Sequence, residues 1–147
     1  MCANGQYSAP GVTGCEWCPA GYMCTRPTAN PQRCGAGSYT PSTGYANCQE
    51  CPASKSCTLT AVGNVCSSGW YSESGMSQCV WCPAGYYCVN GNKYGCANNY
   101  YSTGGASSCT ITPDGYGKDT TKKSIGMVCG VGYYSNSGTG YVCKVCP

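Results

Sequence analysis

CSSGWYSESGMSQCVWCPAGYYC, residues 66–88, is the stretch whose reading decides the fold. It carries four cysteines, Cys66, Cys79, Cys82 and Cys88, with C-x-x-G-x-Y-S at its front and C-P-A-G-Y at its back. The same cysteine order precedes it as Cys2, Cys15, Cys18 and Cys24, then as Cys34, Cys48, Cys51 and Cys57. It follows as Cys96 and Cys109, and again as Cys129, Cys143 and Cys146. The opening phrase returns each time: CANGQYS, CGAGSYT, CSSGWYS, CANNYYS, CGVGYYS. First cysteines at 2, 34, 66, 96 and 129 stand 30 to 33 residues apart, so one small unit is copied in series. The copies are expected at 1–33, 34–65 and 66–95, with a degenerate fourth at 96–128 and a partial fifth at 129–147.

The degenerate unit discriminates between pairings. Aligning CTITPDGYGK (109–118) with CVWCPAGYYC (79–88) puts Thr112 on Cys82 and Lys118 on Cys88, while Pro113, Gly115 and Tyr116 fall on Pro83, Gly85 and Tyr86. Four cysteines allow three pairings. Only first-with-second and third-with-fourth lets a unit lose its last two without stranding the others. The expected bridges are Cys2–Cys15, Cys18–Cys24, Cys34–Cys48, Cys51–Cys57, Cys66–Cys79, Cys82–Cys88, Cys96–Cys109 and Cys129–Cys143, with Cys146 left over. Local re-pairing of cysteines orphaned in one degenerate unit is the competing possibility, and a non-reducing peptide map joining Cys15 to Cys24 would contradict the scheme.

Composition agrees with a cross-linked chain. Seventeen of 147 residues are cysteine, above the level that marks a disulfide scaffold. Phe and His are absent, Leu59 is the one leucine, and Ile111 and Ile125 are the two isoleucines. So few aliphatic residues cannot form the core that a globule of this length needs. In the chain-entropy treatment a 14-residue loop contributes about 3 kcal/mol and a 7-residue loop about 2.4 kcal/mol. Bridges on this scale form in oxidising compartments, which places the chain outside the cell or on its surface. MCANGQYS has no basic stretch followed by an apolar run, and no apolar segment is long enough to span a bilayer. Met1 holds the slot filled by Arg33, Val65, Gly95 and Val128 before other first cysteines, and the chain stops at Cys146-Pro147 where other units run on. The expectation is a window from a longer array with the Cys146 partner outside it. A true terminus with a free or intermolecular thiol is the alternative.

The expected fold class is small and disulfide-rich: an elongated tandem array of short β-hairpin units with little or no helix. Gly and Pro recur too often for useful helices. The segments CEWCP, CVWCP and CKVCP can pair back as hairpins held by the first bridge, and Asn90-Gly91 suits a two-residue turn. Units this small must stack on neighbours to bury a face. The recurrent Tyr7, Tyr39, Tyr71, Tyr101 and Tyr134, with Trp17 and Trp81, are expected to pack against bridges and the following unit. For the extra rings Trp70, Tyr100 and Tyr133, packing and sugar stacking stand as equal readings.

CPAGYMC, CPAGYYC and C-x-x-G-x-Y-S with C-x-x-C-P resemble the ephrin-receptor-like cysteine-rich repeat, which is similar in style to tumour-necrosis-factor-receptor and growth-factor-receptor cysteine-rich modules. The likeness covers essentially the whole chain. Such repeats occur in long extracellular proteins of animals, protists and algae, so the resemblance implies an extracellular stalk without catalysis. Departures are Ser54-Lys55 in place of Gly-Tyr, and Thr112 and Lys118 in place of cysteines.

The residue inventory excludes several chemistries. Without His there is no imidazole base and no Ser-His or Cys-His nucleophile pair. Glu16, Glu50, Glu73, Asp114 and Asp119 are scattered, which disfavours a paired acid and base or a calcium site. C-x-x-C pairs could build a four-thiolate zinc site. However, each complete quartet has two further placed cysteines, and the joint loss at 112 and 118 suits disulfides better. No cofactor or metal is therefore expected. A net charge of +3 with one cluster, Lys118, Asp119, Lys122 and Lys123, lacks the dense basic stripe of nucleic-acid binding. No N-x-S/T sequon occurs, whereas Thr25 and Thr28 lie in a Pro/Thr stretch suited to O-glycans, with Ser42, Thr43, Thr58 and Thr60 as further candidates. The expected partners are other repeats of the same protein, assembling into a filament, and glycans. The expected function is a secreted or cell-surface rod, stalk or filament, with a ligand- or glycan-binding receptor ectodomain as the alternative.

Overall fold

A computed structural model describes residues 1–118, 125–136 and 142–147, without the side chains at 118 and 125–127. Asp119, Lys122 and Lys123 of the charged cluster, with the Lys118 side chain, lie outside the described residues. Among those described there is no helix, and every strand is two to four residues long. Each strand pairs antiparallel with its neighbour in sequence, giving nine separate two-stranded hairpins. The molecule is thus small, disulfide-rich and built of β-hairpins.

The hairpins alternate between two kinds, called wide or narrow after the long (13 or 14 residues apart) or short (6 apart) cysteine pairing that encloses the start of the first strand. Wide hairpins have their first strand inside the first bridge of each cysteine quartet and their second just past its closing cysteine: β1 (Gln6–Tyr7) with β2 (Glu16–Trp17), β5 (Ser38–Tyr39) with β6 (Gln49–Glu50), and β9 (Trp70–Tyr71) with β10 (Val80–Trp81). β13 (Tyr100–Tyr101) with β14 (Thr110–Ile111) and β17 (Tyr133–Tyr134) with β18 (Lys144–Val145) continue that series. Between them come narrow hairpins: β3 (Tyr22–Met23) with β4 (Gln32–Arg33), β7 (Lys55–Cys57) with β8 (Val62–Val65), β11 (Tyr86–Val89) with β12 (Asn92–Gly95), and β15 (Tyr116–Lys118) with β16 (Ile125–Val128).

Both kinds begin in the same way, and the reason is backbone chemistry. Three residues after the first and third Cys of each quartet (or after Thr112 in the third place) stands a residue with positive φ: Gly5, Gly21, Gly37, Ser54, Gly69, Gly85, Asn99, Gly115 and Gly132, at 70° to 85°. The next N–H donates back to the carbonyl three residues earlier, as Tyr22 does to Pro19 (3.2 Å) and Trp70 to Ser67 (3.0 Å). Positive φ at the third turn position is the type II signature, and it favours glycine. The carbonyl of that same residue then accepts from the N–H just past the returning strand, Cys18 to Gly5, Cys51 to Gly37 and Thr112 to Asn99 among them, at 2.8–2.9 Å. Turn residues recur every 14 to 17 positions, so each cysteine period contains two turns and two hairpins.

Sulfur forms the interior. Among described residues the buried apolar side chains are all cysteines (Cys18, Cys24, Cys34, Cys51, Cys66, Cys82, Cys88 and Cys96), joined by the hydroxyl residues Thr40, Ser72, Ser102, Thr112 and Ser135. Tyr7, Tyr39, Tyr71 and Tyr101 are half-buried and Tyr134 is exposed. These rings therefore make no core of their own.

The chain divides into two compact units. One comprises Met1–Cys66 with Ser72–Cys79, the other Ser67–Tyr71 with Val80–Pro147. Successive hairpins within each are laced by backbone bonds. In the first, Gly44 N–H reaches Cys18 O at 2.8 Å and Gly75 N–H reaches Cys51 O at 2.9 Å. In the second, Gly105 N–H reaches Cys82 O at 2.7 Å and Cys88 N–H reaches Ala106 O at 2.8 Å.

Candidate functional site

The cysteines named from the sequence lie in eight disulfides: Cys2–Cys15, Cys18–Cys24, Cys34–Cys48, Cys51–Cys57, Cys66–Cys79, Cys82–Cys88, Cys96–Cys109 and Cys129–Cys143. Each closes a local loop, with partners 6, 13 or 14 residues apart. Cys146 is exposed and unbridged. Its N–H donates to Gly132 O at 2.8 Å, the same backbone bond that Cys18, Cys51 and Cys82 make.

A second set of links is made by hydroxyls that sequence reasoning left unassigned. The Ser or Thr ending each opening phrase is buried from the second copy onward, at Thr40, Ser72, Ser102 and Ser135. Ser72 Oγ donates to Lys55 O at 2.7 Å, Ser102 Oγ to Tyr86 O at 2.6 Å and Ser135 Oγ to Tyr116 O at 2.8 Å. Thr40 Oγ1 accepts from Gly21 N–H at 2.6 Å. In every case the partner is at the turn opening the preceding narrow hairpin. The five-fold recurrence of Y-S/T was the available signal. What it lacked was any sign that the hydroxyl points inward.

The aromatic side chains form a different surface. Trp70 and Trp81 are directly opposed across β9/β10 and meet edge to face, with centroids 5.1 Å apart at 83°. Both remain exposed, at 38% and 58%. Tyr100 opposite Ile111, and Tyr133 opposite Val145, repeat an exposed apolar pair on the next two wide hairpins. Trp17 and Trp81 lie over the loop of the following wide hairpin, against Gly44 and Gly105. Glu50 takes the equivalent place against Gly75. On β11/β12, Lys93 Nζ stands 4.5 Å from the Tyr71 ring centroid and 5.4 Å from that of Tyr86, within cation–π range.

The O-glycan candidates Thr25, Thr28, Ser42, Thr43, Thr58 and Thr60 are all exposed. Thr58 Oγ1 donates weakly to Ala61 O at 3.4 Å within its own loop. No group of three or more His, Cys, Asp or Glu among the described residues is placed to hold a metal ion. A depression of about 380 Å³ in the first unit is lined by Arg33, Ser38, Thr58, Leu59 and Ser77 with neighbouring Cys, Gly and Ala. It holds one cation and no carboxylate, so it offers no acid–base pair. Tyr7 donates its hydroxyl to Glu16 Oε2 at 3.2 Å. That bond and the nearby negative charge raise the Tyr7 phenol above its usual range.

No helix among the described residues is long and apolar enough to cross a membrane. No family model matches the chain, and no curated protein matches it.

Proposed function

We propose that this chain is a load-bearing structural segment of a secreted or cell-surface repeat protein, one that forms a rod, stalk or filament. The observation carrying this reading is that the disulfides and the links described above are local. Eight disulfides close loops between residues 6 to 14 apart, and the hydroxyl and backbone bonds join neighbouring hairpins. A chain linked only to its neighbours can be lengthened by adding copies, and each copy keeps its own covalent staples under tension. Eight disulfides also require an oxidising compartment, which fits an outward-facing protein. Membership among ephrin-receptor-like repeats remains part of the proposal, supported by the quoted motifs. Absence of catalysis is part of it as well, supported by the lack of His and the scatter of carboxylates.

Force spectroscopy on the oxidised chain tests this reading. The expected trace shows little extension before rupture, and reductant then releases the length held inside the bridges. A chain that extends fully while oxidised would remove the structural reading.

The exposed Trp70–Trp81 pair favours a second reading, a receptor or adhesion ectodomain whose ring surface stacks on a sugar or a partner protein. A glycan-array signal abolished by Trp70→Ala would support it. O-glycans at the six exposed Ser and Thr positions are proposed under either reading, and intact mass of native material without hexose increments would dismiss them.

A further inference from the structure

Tyr87 and Tyr94 are directly opposed across β11/β12, with ring centroids 5.3 Å apart and planes at 26°. Their register is fixed from both ends. Asn90 and Gly91 close the hairpin with φ of 51° and 75°, a two-residue turn that permits one pairing of the flanking strands. At the other end, the Cys82–Cys88 bridge ties Cys88, next to Tyr87, back to Cys82, the residue before the Pro83–Tyr86 turn that opens the hairpin. The two phenols are thus neighbours by construction. Tyr94 is 45% exposed and Tyr87 half-buried, so an external oxidant can reach the pair.

The composition points to the phenol itself. The chain has 14 tyrosines and no phenylalanine. Packing against a bridge asks only for a ring, whereas an oxidisable O–H is what tyrosine adds. We propose that Tyr87 and Tyr94 form a dityrosine cross-link, a covalent carbon–carbon staple across this hairpin. The oxidant is hydrogen peroxide acting through a haem peroxidase. Each phenol loses one electron and one proton, and the two phenoxyl radicals couple at the carbons ortho to oxygen. The two ring hydrogens at the new bond then move to the oxygens and restore both phenols. Two hydrogen atoms leave the protein and reduce one peroxide to two waters. This inference needs an oxidising compartment but not a tension-bearing role, so either can fail without the other.

Lys93 makes the test clean, because it lies between the two tyrosines. The folded, oxidised chain is treated in dilute solution with limiting haem peroxidase and hydrogen peroxide. The monomer is then isolated, reduced, alkylated and cut after lysine. Cleavage at Lys93 separates peptide 56–93 from peptide 94–118. The expected product is these two peptides joined and two hydrogens lighter than their sum, at least tenfold more abundant than any other joined pair. Tyr94→Phe and Tyr87→Phe should each abolish it while an intact Cys82–Cys88 bridge reports correct folding. Dityrosine spread over other positions, coupling only between molecules, or a joined peptide surviving Tyr94→Phe would each overturn the assignment.

Discussion

Thr112 shows how much one residue decides. It occupies the backbone place of Cys82, with its N–H on Asn99 O at 2.8 Å, and it is 1% exposed. Its Oγ1 is buried with no hydrogen-bond partner among the described residues. An unsatisfied buried hydroxyl costs about 1–3 kcal/mol, so Thr112→Val, which keeps the shape, should stabilise this hairpin. Amide exchange at 112–118 should slow in that variant. Because Lys118 pairs with Ile125 where Cys88 pairs with Lys93, Thr112→Cys with Lys118→Cys should close a ninth bridge, seen as a loss of two hydrogens in mass.

The hydroxyl staples make the opposite prediction. Ser102→Ala removes the 2.6 Å bond to Tyr86 O, at a cost of about 1 kcal/mol, and should speed amide exchange around Gly85, whose N–H donates to Ser102 O. Gly37 shows why the turn residue is so restricted. Its φ is 81°, and a Cβ there would run into the Gly75 carbonyl. Gly37→Ala should therefore prevent native disulfide pairing, whereas Gly14→Ala, with open space around it, should leave the bridge map unchanged.

Tyr7 supplies a pH readout. Its raised phenol pKa comes first from the hydrogen bond to Glu16, and the folded state therefore holds that proton more tightly than the unfolded chain. The resulting stabilisation is fully present below the unfolded tyrosine range near 10 and is lost as pH rises through the folded value. In an NMR titration Tyr7 should titrate later than an unperturbed tyrosine, and Glu16→Gln should bring it back toward the usual range.

At the scale of the hairpin, legibility followed chemistry. Asn90-Gly91 was readable because only a few residue types tolerate two successive positive φ angles. The wide hairpins were readable because a bridge of 13 or 14 residues brings two strand-forming segments together. The narrow hairpins as a class, and the half-length period behind them, were not. CANGQY and CPAGYM form the same turn, yet one leads to a long bridged loop and the other to a short one. Ser54 and Asn99 obscure the pattern further by taking positive φ where glycine stands elsewhere. Removing one short bridge by Cys82→Ser with Cys88→Ser should cost about 2.4 kcal/mol of local stability. Exchange should rise in 82–96 and stay unchanged in 18–34, since each link is confined to neighbours.

For the whole molecule, covalent sulfur takes the place of an apolar interior. Full reduction should therefore unfold the chain outright. Loss of amide protection across both compact units on adding reductant, without denaturant, is the measurement that checks this. The exposed rings on three successive wide hairpins have no counterpart in the interior.

The cysteine order, the turn phrases and the scarcity of aliphatic residues were enough, without coordinates, to define a hairpin chain held by local bridges. Those features act between residues close in sequence, where spacing and turn chemistry leave few choices. The inward hydroxyls at Thr40, Ser72, Ser102 and Ser135, the stacked Tyr87–Tyr94 pair and the Trp70–Trp81 contact were settled only by tertiary structure. The hydroxyls flank two-residue strands, the Trp pair lies on such strands and the Tyr pair on strands of four residues, and strands that short carry too little periodicity for a side to be read.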